Sequence, residues 1–269
     1  MHGTQRGYSE LVQTLIDAPT CDVRAQNQSR DTALHFAAKY GQLECLKLLM
    51  ATNVDLDQLN IWHYTPLLTA VMSGKQQCAV ALIQAGADVN VAGRGEKTTL
   101  HHAASKCMHE CVECLLRHNV SVNAEDADGN TALMYAVVKN RHQIVRSLLR
   151  SGGNVRRLGH CWFDGHTRRC TPLEAALHLG HVDAVTLLYA AGASLAVFQH
   201  CQGECHVIDS QPTVVRWIQI TKAQVRPLAD ICRLSIRGAC SGTMSSISEA
   251  ISKLSLPEKL RLFLAFQDM

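Results

Sequence analysis

Apolar positions recur along this chain in a fixed order. Leu34, Leu67, Leu100, Leu133 and Leu173 each stand two residues after a Thr, and Ala37, Ala70, Ala103, Ala136 and Ala176 follow them by three. An i, i+3 pair lies on one side of a helix, so each segment predicts a short helix with one apolar face. The Thr at its start offers a hydroxyl that accepts from an orphan backbone N–H. Pro66 and Pro172 fall where a first helical turn tolerates Pro. A second apolar group follows each of these helices and carries Leu49, Leu82, Leu115, Leu148 and Leu188 in one slot. Between the two groups stand Gly41, Gly74, Cys107, Asn140 and Gly180, and after the second stand Asn53, Gly86, Asn119, Gly152 and Gly192. Gly and Asn accept left-handed backbone, so both sets predict sharp turns, with Cys107 the odd member.

The helix-opening threonines are Thr32, Thr65, Thr98, Thr131 and Thr171, spaced by 33 residues three times and then by 40. A 33-residue period built on T-P-L-H-x-A is the signature of ankyrin repeats, which this chain resembles. A single unit of this kind cannot bury its own apolar face, so neighbours must stack. The expected fold is all-α: an ankyrin-repeat solenoid with five repeats over residues 30–197, offering a binding surface and not an enzyme pocket. Residues 1–29 read as a partial unit, with Leu11, Val12, Leu15 and Ile16 on its second helix and its first helix missing. That half unit is either an N-terminal cap or a shortened form.

Composition narrows the function classes. The 269 residues carry a net charge of +3 and a pI near 8.3, too mild a balance to make nucleic acid or an anionic membrane the main partner. No apolar run approaches the ~18 residues of a membrane span. Met1 to Glu10 lacks the layout of a signal peptide. A cytoplasmic or nuclear location is expected. Of the twelve cysteines, Cys45, Cys78 and Cys111 share a slot with Ile144 and Ala184, and Cys114 shares one with Leu48 and Leu187. Thiols that alternate with aliphatic residues read as core. No Gly-rich phosphate loop, G-x-S-x-G or H-E-x-x-H occurs, so no catalytic residue and no cofactor is assigned.

The segments just before each Thr are fingertips. They offer Trp62, His63 and Tyr64, then Arg94 to Lys97, then Asp126 to Asn130. Trp, Tyr and Arg are enriched among binding hot spots. Trp62 and Tyr64 therefore either anchor a partner or pack between adjacent fingers. The fourth finger, at residues 158–170, is longer by seven residues and holds Trp162, Arg168 and Arg169. Insertions in repeat arrays map to loops, often on the binding face, so this finger is expected to project beyond its neighbours. The candidate target-binding set is Trp62, Tyr64, Arg94, Lys97, Trp162, Arg168 and Arg169. The same finger carries Cys161, Cys170, His160 and His166, and a second group follows at His200, Cys201, Cys205 and His206. These are zinc-type ligands, but their spacing fits none of the common zinc patterns, and no metal is expected.

Residues 198–224 match no repeat; Val214, Val215, Trp217, Ile218 and Ile220 suit a linker that caps the last unit. Beyond Lys222, Leu228, Cys232 and Ile236 fall at i, i+4 and i+8 with Ile231 beside them, a helical stripe between Pro227 and Gly238. A second apolar group runs from Ile247 to Leu264 and contains Leu254-Ser255-Leu256-Pro257. Residues 225–269 thus resemble a SOCS box, a three-helix module. The first helix is similar to the elongin-binding box. The second part is similar to the cullin-selecting L-P-L-P box, with Ser255 in place of its first Pro. Repeats followed by such a box resemble the ankyrin-repeat-and-SOCS-box family. The resemblance implies a substrate-recognition adaptor of a cullin-RING E3 ubiquitin ligase that holds a target protein of unknown identity. It implies elongin C, with elongin B, on Leu228, Ile231, Cys232 and Ile236. It implies a cullin of the fifth type, with its RING protein, on Leu254, Leu256 and Pro257. The competing reading is an ankyrin scaffold whose C-terminal helices are a structural cap.

Overall fold

Each Thr of the repeated slot opens a helix in the computed structural model, which describes residues 9–18, 21–163 and 166–193. A lone helix, α1 (Ser9–Ile16), precedes five helix pairs. These are α2 (Ala33–Tyr40) with α3 (Leu43–Ala51), α4 (Pro66–Met72) with α5 (Gln76–Gln84), and α6 (Thr99–Ser105) with α7 (His109–Arg117). Then come α8 (Ala132–Val138) with α9 (His142–Arg150), and α10 (Pro172–His178) with α11 (Val182–Ala190). The first helices pack in the row α2, α4, α6, α8, α10, and the second helices in the row α1, α3, α5, α7, α9, α11. The linker and the C-terminal box lie outside the described residues.

The core is made where the rows meet. The five Leu of the first-helix slot are at most 2% exposed, and the five Ala three residues on are fully buried. Each such Leu contributes ~1.5–3 kcal/mol of burial, and each Ala lets the next helix come close. Cys45, Cys78, Cys111 and Cys114 are buried in the second helices. Burial raises all four thiols, Cys111 to about 12, so they pack as small hydrophobes.

The interhelix turns use left-handed backbone at Gly41, Gly74, Cys107, Asn140 and Gly180. After the second helices, Gly86, Asn119, Gly152 and Gly192 do the same, but Asn53 does not. There the cap residue Thr52 is extended and its hydroxyl donates to the Leu49 carbonyl at 2.7 Å. That bond satisfies the orphan carbonyl which a left-handed cap would otherwise serve.

Hydrogen bonds join the units. His35 Nδ1 accepts from the Thr32 backbone N–H at 3.2 Å, which leaves Nε2–H to donate to the Tyr64 carbonyl of the next finger at 3.0 Å. His101 repeats this with Thr98 at 3.1 Å and Asn130 at 3.0 Å. In the fifth unit Glu174 takes the position and accepts from the Thr171 N–H, a capping box confined to its own unit. Nearer the second helices, Asp57, Asn90 and Asn123, spaced by 33, accept from the N–H groups of Asp88, Ser121 and Asn154 at 2.7–2.8 Å. Arg24 holds the same slot one unit earlier and donates to the Asn53 carbonyl at 2.8 Å.

The seven extra residues of the fourth finger depart from the all-helical expectation. They build an antiparallel hairpin, β1 (Gly159–Phe163) and β2 (His166–Cys170). Exposure alternates along the strands: His160, Thr167 and Arg169 face out while Cys161 and Cys170 are buried, the period of a strand with one covered face. In sequence the strands are separated by Asp164-Gly165, a dipeptide typical of two-residue hairpins.

The buried histidines make stability depend on pH. Burial lowers His35 and His101, and lowers His102 to about 4, with Lys97 next to it adding to the effect. Unfolding returns each ring to its ordinary 6.5. Between those values the unfolded chain binds protons that the folded chain refuses, so stability is complete above 6.5 and falls as pH drops toward 4. The urea midpoint should therefore decline through this window, and His102→Gln should flatten the decline. A midpoint that stays level would show that the rings are not held neutral.

Candidate functional site

Four fingertips are closed by the same pair of positions, four residues apart, and the hairpin finger is the exception. Asn27, Asn60, Gly93 and Asp126 donate their backbone N–H to the carbonyls of Asp31, Tyr64, Lys97 and Asn130. Asn60 and Asp126 also accept, through their side chains, from the N–H groups of Tyr64 and Asn130 at 3.0 and 2.8 Å. Arg30, His63, Glu96 and Gly129 carry the left-handed turn at each tip. Neighbouring tips are then tied together. Ile61 N–H donates to the Ser29 carbonyl at 3.0 Å, and Ala127 N–H to the Gly95 carbonyl at 2.9 Å. The tips are thus a braced row in which side chains are presented from fixed backbone.

On the second tip Ile61 and Trp62 are 49% and 40% exposed. Beside them a cavity of about 310 Å³ opens, lined by Arg30, Asp55, Asp57, Asn60, Ile61 and His63 among others. Burial raises the Asp57 carboxyl, the nearby Asp88 and Asp55 charges add to this, and the Asp88 N–H opposes it. Tyr64 is half-buried, and its ring lies where a side chain on Gly93 would have to go: a Cβ there would stand 2.6 Å from the ring. Tyr64 packs between fingers, while Trp62 faces outward.

Arg94 is exposed on a short 3-10 turn, Arg94–Glu96. Lys97 is turned inward. Its ammonium lies 3.9 Å from buried Asp126 and over the Tyr135 ring, whose hydroxyl donates to Asp126 at 2.7 Å. Burial and that carboxylate raise the Tyr135 phenol, which stays protonated as the donor. Lys97 therefore neutralises a buried carboxylate beneath its own tip and the Asp126–Asn130 tip.

The hairpin stands on the fourth unit. Asn130 Oδ1 accepts from the His160 N–H at 2.8 Å. Gly159 has no Cβ because the Asn130 carboxamide occupies that space. In the strand register Trp162 pairs with Thr167, Cys161 with Arg168 and His160 with Arg169. Arg169 is exposed and Arg168 half-buried. The candidate residues of the fingers are thus spread over three places: the second tip, the third tip and the hairpin. Leu228, Ile231, Cys232 and Ile236, and Leu254, Leu256 and Pro257, lie outside the described residues.

The hydroxyl–imidazole pairs do not form a reaction centre. Thr32 Oγ1 is 2.9 Å from His35 Nδ1 and Thr98 Oγ1 is 2.8 Å from His101 Nδ1, but all four residues are buried and both rings are committed to the next finger. Among the described residues no three His, Cys, Asp or Glu side chains converge as metal ligands. Among the same residues no helix is long and apolar enough to cross a membrane. The tip-closing slot and the Asp57, Asn90, Asn123 ladder escape a reading based on apolar periodicity. Their signal was a polar residue recurring at the same 33-residue step.

A family model for ankyrin repeats, in three copies, matches residues 1–93 and 92–159. A family model for the SOCS box matches residues 224–265. Among solved structures, the human ASB11 ankyrin repeat domain is 29% identical, covers 72% of this chain and 84% of its own, and superposes with a TM-score of 0.61. An ankyrin repeat domain from Acinetobacter baumannii AYE is 26% identical, covers 72% of this chain and 97% of its own, with a TM-score of 0.62. Among curated proteins, none matches the chain.

The Tyr64–Gly93 contact is testable. Gly93 has φ −92°, open to any residue, so it is the ring and the Leu68 side chain that first oppose a methyl there. Gly93→Ala should cost ~1–3 kcal/mol, as overpacking does. Part of that loss should return in a Tyr64→Ala background. A urea double-mutant cycle measures the coupling, and strictly additive losses would place the ring elsewhere.

Proposed function

The chain belongs to the ankyrin-repeat-and-SOCS-box family, and from that premise we propose that it is a substrate receptor of a cullin-RING ubiquitin ligase. The observation that carries the reading is the union of two modules in one chain: a braced row of fingers on a helical stack, and a SOCS box at residues 224–265. The stack recognises a target protein and the box recruits the ligase. Leu228, Ile231, Cys232 and Ile236 form the apolar stripe that enters elongin C, which brings elongin B. Leu254, Leu256 and Pro257 select a cullin of the fifth type with its RING protein. Trp62 and Arg94 on the tips and Arg169 on the outward face of the hairpin meet the target, with Trp162 of β1 proposed beside them; Arg168, paired with Cys161, shares the covered face. Tyr64 and Lys97 hold the tips in shape for it. The complex works in the cytoplasm or nucleus.

In this reading the chain makes and breaks no bond. It raises the effective concentration of a target lysine near the charged ubiquitin carrier. Orientation of that kind is worth up to ~7–11 kcal/mol in well-placed reactions. A rigid stack serves this role because a floppy receptor would spread the target over a larger volume.

Removing a Leu from a tight apolar interface costs ~2–5 kcal/mol. At tenfold per ~1.4 kcal/mol, Leu228→Ala should weaken elongin binding roughly thirty-fold or more. With Cys232→Ala added, elongins should no longer co-purify from cells, while the ankyrin stack keeps its melting temperature. Replacing Leu256 and Pro257 should spare elongin and reduce only the cullin. Unchanged elongin recovery from the double variant, or its collapse as a whole, would make the helix a cap and end the ligase reading. Charge reversal at exposed Arg169 should reduce capture of proteins that accumulate on the elongin-deficient variant, with little change in melting temperature. Capture that survives reversal would remove the hairpin from the target surface.

A further inference from the structure

Two thiols meet on the covered face of the hairpin. In the β1–β2 register Gly159 stands opposite Cys170 and Cys161 opposite Arg168. Directly paired residues share a face of the ladder, so Cys161 and Cys170 are diagonal neighbours on one face. Gly159 puts no side chain between them, and the Asn130 carboxamide that fills the space of its Cβ keeps it a glycine. Cys161 is 4% exposed and Cys170 2%. Both are free cysteines. Cys161 Sγ also lies 3.4 Å from the Met134 sulfur on α8. The hydrogen bond from Cys170 lowers the Cys161 thiol against the opposing effect of burial, and the same bond raises Cys170. Cys45, Cys78, Cys111 and Cys114 are all shifted the other way by burial. Cys161 is therefore the buried thiol of this set that is not raised, and the register sets a second thiol diagonally across the ladder from it.

We propose that Cys161 and Cys170 are a reversible redox pair, converted by hydrogen peroxide into a disulfide within the hairpin and returned to thiols by dithiol reductants. The Cys161 thiolate attacks one peroxide oxygen. An S–O bond forms, the O–O bond breaks, and hydroxide leaves as water after taking a proton. The Cys170 sulfur then attacks the resulting sulfenic sulfur, forming the S–S bond and expelling hydroxide, which takes up the Cys170 proton. In sum, two thiols and one peroxide give one disulfide and two waters. Access comes from local opening, since a two-stranded hairpin is marginally stable by itself. The bridge ties β1 to β2 beside Arg168 and Arg169, so oxidation fixes the strand spacing of this finger. The inference stands independently of the ligase reading.

The test is to treat the full chain, purified reduced, with hydrogen peroxide, then block the remaining thiols and map peptides by mass spectrometry. Trypsin cuts after Arg168 and Arg169, so the two cysteines leave on separate peptides unless bridged, and fragmentation of the bridged pair distinguishes Cys170 from Cys201 and Cys205 on the same peptide. A Cys161–Cys170 peptide pair lighter by two hydrogens, restored by dithiothreitol, is expected. In Cys170→Ser the Cys161 sulfenic acid should accumulate and react with dimedone, while in Cys161→Ser Cys170 should stay reduced under the same peroxide. If a serine variant fails to fold by circular dichroism, the map of the unsubstituted chain decides alone. The proposal is overturned if both thiols stay reduced while exposed Cys21 and Cys107 oxidise, or if either is bridged to a third cysteine.

Discussion

No helix pair in this chain can bury its own apolar face, and the rest of the structure follows from that constraint. The Leu and Ala of each first helix are covered only when the next pair arrives, so every unit depends on its neighbours. Hydrogen bonds follow the same rule. His35 and His101 each begin on their own helix cap and end on the carbonyl of the following finger. Asp57, Asn90 and Asn123 reach the backbone of the unit ahead. Stability is carried along the array by contacts that repeat, which leaves the fingertips free to differ. Trp62, Arg94 and the β1–β2 hairpin occupy positions the stacking does not need.

Much of this was legible in the sequence because the stacking constraint repeats every 33 residues. A recurring Thr, Leu and Ala can be read without any structure, and each occupies the place its chemistry suggests. Cys107 and Asn140 adopt the left-handed turn that their Gly counterparts adopt, so register outweighed residue type. Asn53 shows the reverse: a neighbouring Thr closed the helix instead, a local competition that periodicity does not reveal. The hairpin was hidden for a different reason. It occurs once, so no repeat announces it, and only the Asp-Gly dipeptide pointed to a tight turn there. Tyr64 could have been anchor or packing by sequence alone; the absent side chain of Gly93, one finger away, tells them apart.

The proposed division of labour matches this anatomy. A stack whose core and inter-unit bonds are generic can hold a specific surface still, and a separate C-terminal module can dock elsewhere without disturbing it. Polar residues at the tips do two jobs. Asp126 closes its own turn and binds Tyr135 and Lys97 beneath it, so a charge that looks available for a partner is used to brace the surface. Charged residues in a repeat protein are therefore best judged by whether the next unit already uses them.

The proposed receptor joins a target-binding stack to a ligase-recruiting box in one chain. Native mass spectrometry of the full chain mixed with purified elongin C and elongin B tests it most directly. A heterotrimer with one copy of each protein, formed without any target present, is expected. A chain that remains alone in the presence of both elongins would contradict it.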